Sequence, residues 1–369
     1  MRTRDGVIEY QKTITDTETL IKDINIPDPI SAFYIEVECT NGATSNKGNF
    51  ISDIITKIEV VDGSDVLASL NMSQLEALYF YKTGKVPVLL PSEWAGVVQR
   101  HGTYLLFGRY LWDPAYCLVP TKYRNPQIKI TANKAAIRAA SATGFATGNN
   151  ILVTIVAKIF EEGASPVGHL MQKQIDSFTS AASGDKRIEL PTDYVYRMLM
   201  PRLWIQASDI DAIITDLKLT CDTDKFIPFN RKVKQLDAEA LAAFGWGAVY
   251  HNIFSSNGLT SRLLWNKEPR CTLVTATALP RAISISAQAS SQATIGYYDL
   301  ATPTAIAVDE NIAGKEAGHA LHATLPVVFG RFMEPDTWFD PKTYGKIELV
   351  MTQAVASAVC EIVLEQVRP

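Results

Sequence analysis

One set of short motifs occurs twice, in the same order, along this chain of 369 residues, and that duplication constrains the fold more than any single residue does. Ile24-Asn25-Ile26-Pro27 returns as Ile188-Glu189-Leu190-Pro191. Asp53 to Val60 (DIITKIEV) returns as Ala212 to Leu219 (AIITDLKL), and each run ends in a polar turn, Asp62-Gly63-Ser64-Asp65 and Asp222-Thr223-Asp224. A short helical pattern follows each turn. In the first, Ser73-Gln74-Leu75-Glu76 reads as a capping box with Gly84 as the stop; the second begins at Asp237 and stops at Gly245. Phe107-Gly108-Arg109-Tyr110 returns as Phe329-Gly330-Arg331-Phe332, and Pro120-Thr121-Lys122-Tyr123 as Pro341-Lys342-Thr343-Tyr344. Each half closes on a β-rich run, Ile151 to Phe160 and Val359 to Val367.

The offsets locate an insertion. Thr56 to Thr215 is a shift of 159 and Phe107 to Phe329 one of 222, so the second copy holds 63 more residues after its helix. Long insertions in one copy of a repeat normally form surface excursions. The expected organisation is an N-terminal arm at 1–15, a first domain at 16–165 and a second at 166–369, with a protruding insertion at about 246–325. Part of the insertion, Ala276 to Thr294, is rich in Ala, Ser and Thr, and Ile283-Ser284-Ile285-Ser286 alternates like a strand.

Period-two alternation recurs at Tyr34 to Glu38, Lys57 to Val60, Gln127 to Thr131 and Lys346 to Val350, the pattern of half-buried antiparallel strands. With 18 prolines and 21 glycines between short strands, two all-β sandwiches are favoured over strand–helix–strand units.

Composition narrows the function. Net charge is −4, from 35 basic and 39 acidic residues, so the basic stripe expected of a protein that holds nucleic acid directly is missing. Arg2, Arg4 and Lys12 form a small basic group on the polar leader, read as a frayed end or an arm reaching a neighbouring subunit or an anionic lipid surface. The leader has no apolar core of the secretory kind, and the run Ile151 to Ala157 is too short to span a bilayer. Cys39, Cys117, Cys221, Cys271 and Cys360 lie scattered, as buried thiols in a reducing cytoplasm would.

Candidate chemistry is sparse. His319-Ala320-Leu321-His322 could bring two imidazoles together, but a metal site needs a third ligand, and a solvated loop is the simpler expectation. Asp62/Asp65 and Asp222/Asp224 resemble fragments of a calcium loop without its full spacing, and backbone turn chemistry accounts for them. Glu161-Glu162 and Asp309-Glu310 read as exposed turns rather than acid–base pairs. Arg109 and Arg331 occur in both copies, which favours a packing or turn role over catalysis. The six tryptophans, at 94, 112, 204, 246, 265 and 338, do not cluster in sequence, so core or interface packing is expected. No catalytic, cofactor-binding or metal-ligating residue is assigned.

The tandem copies, the I-x-(I/L)-P strand, the strand–turn–helix segment Ile54 to Tyr81 and the closing segments Pro341 to Leu349 and Leu364 to Val367 resemble the double jelly-roll major capsid proteins of icosahedral, internal-membrane-containing prokaryotic viruses, in the lineage of adenovirus hexon. That resemblance implies two tandem antiparallel eight-stranded jelly rolls, a few short helices and a tower formed by the insertion. It further implies a structural rather than enzymatic role, with pseudo-hexameric homotrimers tiling a virion shell. Partners would be further copies, vertex or minor capsid proteins, and an internal membrane met through the N-terminal arm. No sequence-specific contact with nucleic acid and no cofactor are implied, and synthesis would be in the host cytoplasm. The competing expectation is a two-domain carbohydrate-binding or carbohydrate-active sandwich protein, which needs a concave aromatic patch beside carboxylates.

Overall fold

The computed structural model describes residues 1–140, 144–256, 260–275, 281–299 and 309–369. Nine strands form the first half: β1 (Arg2–Ile14), β2 (Thr19–Asp23), β3 (Ile30–Thr40), β4 (Ile55–Asp62), β5 (Asp65–Leu70), β6 (Val88–Leu90), β7 (Val98–Leu106), β8 (Pro126–Ala132) and β9 (Ile151–Glu162). They divide between two sheets with orders β1-β9-β3-β7-β6 and β2-β8-β4-β5. The alternation read from the sequence is what closes the core: along β3, Ile35 and Val37 are buried while Tyr34, Glu36 and Glu38 are half-buried, and β8 alternates along its whole length.

The second half repeats the plan with β10 (His169–Thr179), β11 (Asp185–Leu190), β12 (Val195–Trp204), β13 (Ile214–Cys221) and β14 (Phe226–Lys232). After the insertion come β21 (Val327–Val328), β22 (Ile347–Gln353) and β23 (Val359–Arg368). Its sheet orders are β10-β23-β12-β21 and β11-β22-β13-β14. These repeat the orders of the first half except that β6, at the outer edge beside β7, has no counterpart, and both are jelly rolls. A parallel pairing of Gln172 and Lys173 on β10 with Ala68 and Ser69 on β5 fuses one sheet of each into an eight-stranded sheet.

The insertion contributes β15 (Gly247–Ser256), β16 (Thr260–Arg262), β17 (Trp265–Thr275), β18 (Arg281–Ala289), β19 (Gln292–Asp299) and β20 (Asp309–Leu321), in sheets β15-β20-β17 and β16-β19-β18. Its foot is not a surface excursion. Val249, Leu264, Trp265 and Leu321 belong to the hydrophobic core of the first jelly roll, and Ala320 to that of the second. The Trp265 ring lies against Gly247 and Gly318, where any side chain would collide with it.

Helices are α1 (Ile51–Ile54), α2 (Met72–Thr83), α3 (Lys134–Ala140), α4 (Ile210–Ile213) and α5 (Val233–Phe244). The cap of α2 lies two residues before the sequence expectation: the Asn71 side chain accepts from Gln74 N, and the Gln74 side chain accepts from Asn71 N. Gly84 stops this helix in the left-handed region, with φ 66°. Its counterpart α5 starts at Val233 rather than Asp237, because the strand before it runs straight into the helix. The leader also differs from expectation. Arg2 to Ile14 is edge strand β1, laddered antiparallel to β9, and Arg2 and Arg4 pair with Glu161 and Asp28. An edge strand wetted on both faces carries no apolar alternation, so its sequence resembles a tail.

Candidate functional site

The residues with most chemistry meet where the two jelly rolls join. Lys82, near the end of α2, is buried and donates to Glu365 of β23 at 2.6 Å and to the Leu106 carbonyl at 3.0 Å. Glu365 also takes Arg197 of β12 at 2.5 Å and the Gln172 amide at 3.1 Å. The Arg197 guanidinium stacks 3.7 Å from the centre of the Phe332 ring. Burial alone would raise Glu365, but Lys82 and Arg197 outweigh it and hold the carboxyl at about 2. Lys82 is lowered to about 8 by burial, against the pull of Glu365. Breaking such a network strands a charge without solvent.

A second buried set links α2, β7 and the foot of the tower. Glu76 lies between His101, 2.9 Å from one oxygen, and His322, 2.5 Å from the other. Burial works against its charge, but the two imidazoles prevail and hold Glu76 at about 2. Burial lowers His322 despite Glu76. His319 meets Asp237 of α5 at 3.1 Å. Glu93 accepts from Phe254 N and the Ser261 hydroxyl, tying the first jelly roll to the tower, and burial raises its pKa. Among the described residues no group of three or more His, Cys, Asp or Glu is placed to hold a metal ion.

His319 and His322 therefore correct the solvated-loop expectation. Both are buried, because the chain leaving β20 turns inward under the tower. The aspartate turns act through the backbone. Asp62 accepts from Arg124 N and Asn125 N, and Asp222 accepts from Gly345 N and Lys346 N, the same clamp in each copy. Asp65 instead pairs with Arg368, and Asp224 with Lys218. Arg109 holds Asp113 and reaches the Met333 carbonyl, whereas Arg331 pairs with Glu334 in solvent. Glu161 holds Arg2 and Arg4; the side chains of Asp309 and Glu310 lie outside the described residues. Trp265 and Trp338 are buried, Trp94 donates to the Ile253 carbonyl, Trp204 stacks under Arg262, Trp112 packs on Phe160, and Trp246 is exposed. All five cysteines are free and buried. Sequence reasoning gave Glu76 to a helix cap that Asn71 and Gln74 make instead, and missed Lys82, Arg197 and Glu365; the available signal was charge inside otherwise apolar segments, LEALYFYK and CEIVLEQV.

The outward surface carries a different kind of feature. Val7 and Tyr10 on β1, and Phe226 and Ile227 on β14, are large apolar side chains left exposed on edge strands. Beside β14 a hollow of about 510 Å³ is lined by Phe226, Phe229, Phe329, Trp338, Phe339 and Tyr344.

No protein-family model matches this chain, and no curated protein is similar to it in sequence. Solved structures are similar along its whole length. The STIV MCP crystal structure is matched with a TM-score of 0.59 at 11% identity, covering 100% of this chain and 98% of that one. The PBCV-1 virus capsid is matched at 0.56 and 8% identity, over 99% and 93% of the two chains. The major capsid protein P2 of bacteriophage PM2 is matched at 0.53 and 9% identity, over 100% and 98%. The chain is a double jelly roll, with the fold of viral major capsid proteins. In that fold the buried network at Glu365 is the seam of the duplication, and the exposed apolar residues lie on β1 and β14, the edge strands that correspond to β10 and β5 at the seam.

Proposed function

We propose that this double jelly roll is a major capsid protein, which self-assembles as pseudo-hexameric homotrimers tiling an icosahedral virion shell. The carrying observation is the duplication: two sandwiches whose strand orders match apart from β6 share one continuous sheet at their seam, so three chains offer six similar building blocks. The end-to-end likeness to structures named as capsid proteins supports the same reading. The acid–imidazole pairs are sealed from solvent, which suits cohesion better than turnover. Vertex or minor capsid proteins would be further partners. Arg2 and Arg4 spend their charge on Glu161 and Asp28, so β1 fits contact with another subunit better than contact with an internal membrane.

Light scattering across concentration tests the proposal. A trimer burying well over about 2,000 Å² in total is expected, and a persistent monomer contradicts it. The carbohydrate-binding alternative rests on the aromatic hollow, which has Glu239 and Asp340 in its lining. Glycan-array binding by the intact protein would favour that alternative.

A further inference from the structure

The internal seam specifies an external one. Irregularities of register align the two copies residue by residue. In β1 the ladder slips between Val7 and Glu9, opposite Val156 and Ile155; in β10 it slips between Gln174 and Asp176, opposite Val363 and Ile362. Val7 thus corresponds to Gln174, and Asp5 and Gly6 correspond to Gln172 and Lys173. On the receiving side, Ala68 and Ser69 of β5 stand opposite Val60 and Glu59, as Phe229 and Asn230 of β14 stand opposite Leu219 and Lys218.

In the first jelly roll the edge of β5 is covered by β10. Leu170 N donates to the Phe107 carbonyl at 2.7 Å, and the His169 ring packs 6.2 Å from Phe107 and 6.4 Å from Tyr123. In the second jelly roll the matching residues are Phe329 and Tyr344, and they line the open hollow beside β14. Phe226 is 45% exposed and Ile227 40%. The missing occupant has a counterpart elsewhere in the molecule. His169 to Gln172 are buried, whereas Arg2 to Asp5, in the same strand of the other copy, are exposed, as is Val7 at 64%.

We propose that β1 of a second copy of this chain docks on the β14 edge, repeating the β10–β5 contact, with Asp5 opposite Phe229 and Gly6 opposite Asn230. This rests on the capsid reading and names its subunit interface. The contact is heterologous, head to tail, and closes into a ring when its rotation matches that of the internal seam. Pro228 removes one backbone donor from β14, which discourages a long ladder but leaves room for a two-residue pairing like the internal one.

The test uses full-length Asp5→Cys and Asn230→Cys single variants and a short bis-maleimide. The five native cysteines are buried, and burial pushes the thiols of Cys39, Cys117, Cys271 and Cys360 up to about 12, so the background is low. A covalent dimer in the 1:1 mixture, and in neither variant alone, is expected. In parallel, Phe226→Asp should raise the dissociation constant of the assembly at least tenfold. Trimers by light scattering without the cross-link, or an unchanged constant for Phe226→Asp, would overturn the docking and leave the capsid reading standing. Monomers throughout would overturn both.

Discussion

The two jelly rolls share a strand order but not an environment. Helix α2 in the first and α5 in the second occupy the same place and have the same length, 12 residues. Ten residues of α2 are buried, including Gln74, Glu76 and Lys82, whereas α5 buries only Val233, Leu236 and Asp237. The first helix is roofed by the tower foot and by β23; the second meets the tower foot at Asp237–His319 but keeps most of its residues at least partly exposed. A helix apolar all round belongs in an interior, and an amphipathic one at a surface. Duplication therefore set the frame, and what each copy meets afterwards set its sequence. The charged positions show the same divergence. Glu365 on β23 sits in a sealed network, while its register equivalent on β9, Lys158, makes a surface pair with Asp5 at 2.7 Å.

Substitution at these paired positions gives the sharpest contrast. Glu365→Gln leaves Lys82 and Arg197 buried without a counter-charge and should cost roughly 3–5 kcal/mol in denaturant unfolding. Lys158→Met should cost less than about 1 kcal/mol, and equal losses would break the comparison. Trp265→Ala removes the tower foot from the first core and should cost about 3–5 kcal/mol; a loss under about 1 kcal/mol would return the insertion to the status of a surface excursion.

Acid should weaken the seam next. Burial, reinforced by Arg368 and Lys122, lowers His169 from 6.5 to about 3. The unfolded chain takes up this proton first, so the contribution is complete above about pH 6.5 and declines as pH falls toward 3. His169→Gln should flatten the melting temperature between pH 6.5 and 4.5, before ordinary carboxylates titrate; an unaltered slope would show that the seam does not report this imidazole. The smallest effect expected among the buried contacts is that of Tyr81→Phe. It deletes the 3.0 Å bond to the Thr324 carbonyl, and about 1 kcal/mol should be lost.

Turns and alternation made the frame legible. The Asp62 and Asp222 clamps, the glycine stop at Gly84 and the alternation of β8 are local effects, and local effects write themselves into adjacent residues. The seam was not legible, because its partners are remote: Glu76 meets His322 across 246 positions and Lys82 meets Glu365 across 283. No periodicity links such residues. His319 and His322 read as solvated because polar sequence usually is, and β1 read as a tail because an edge strand is wetted on both faces. The foot of the insertion was hidden for a further reason: Trp265 reveals its burial only once Gly247 and Gly318 are brought beneath it.

Electron microscopy of the purified protein addresses the central claim most directly. The proposed capsid role predicts three-chain particles with six lobes and a pseudo-hexagonal outline. Single two-lobed particles at every concentration would contradict it.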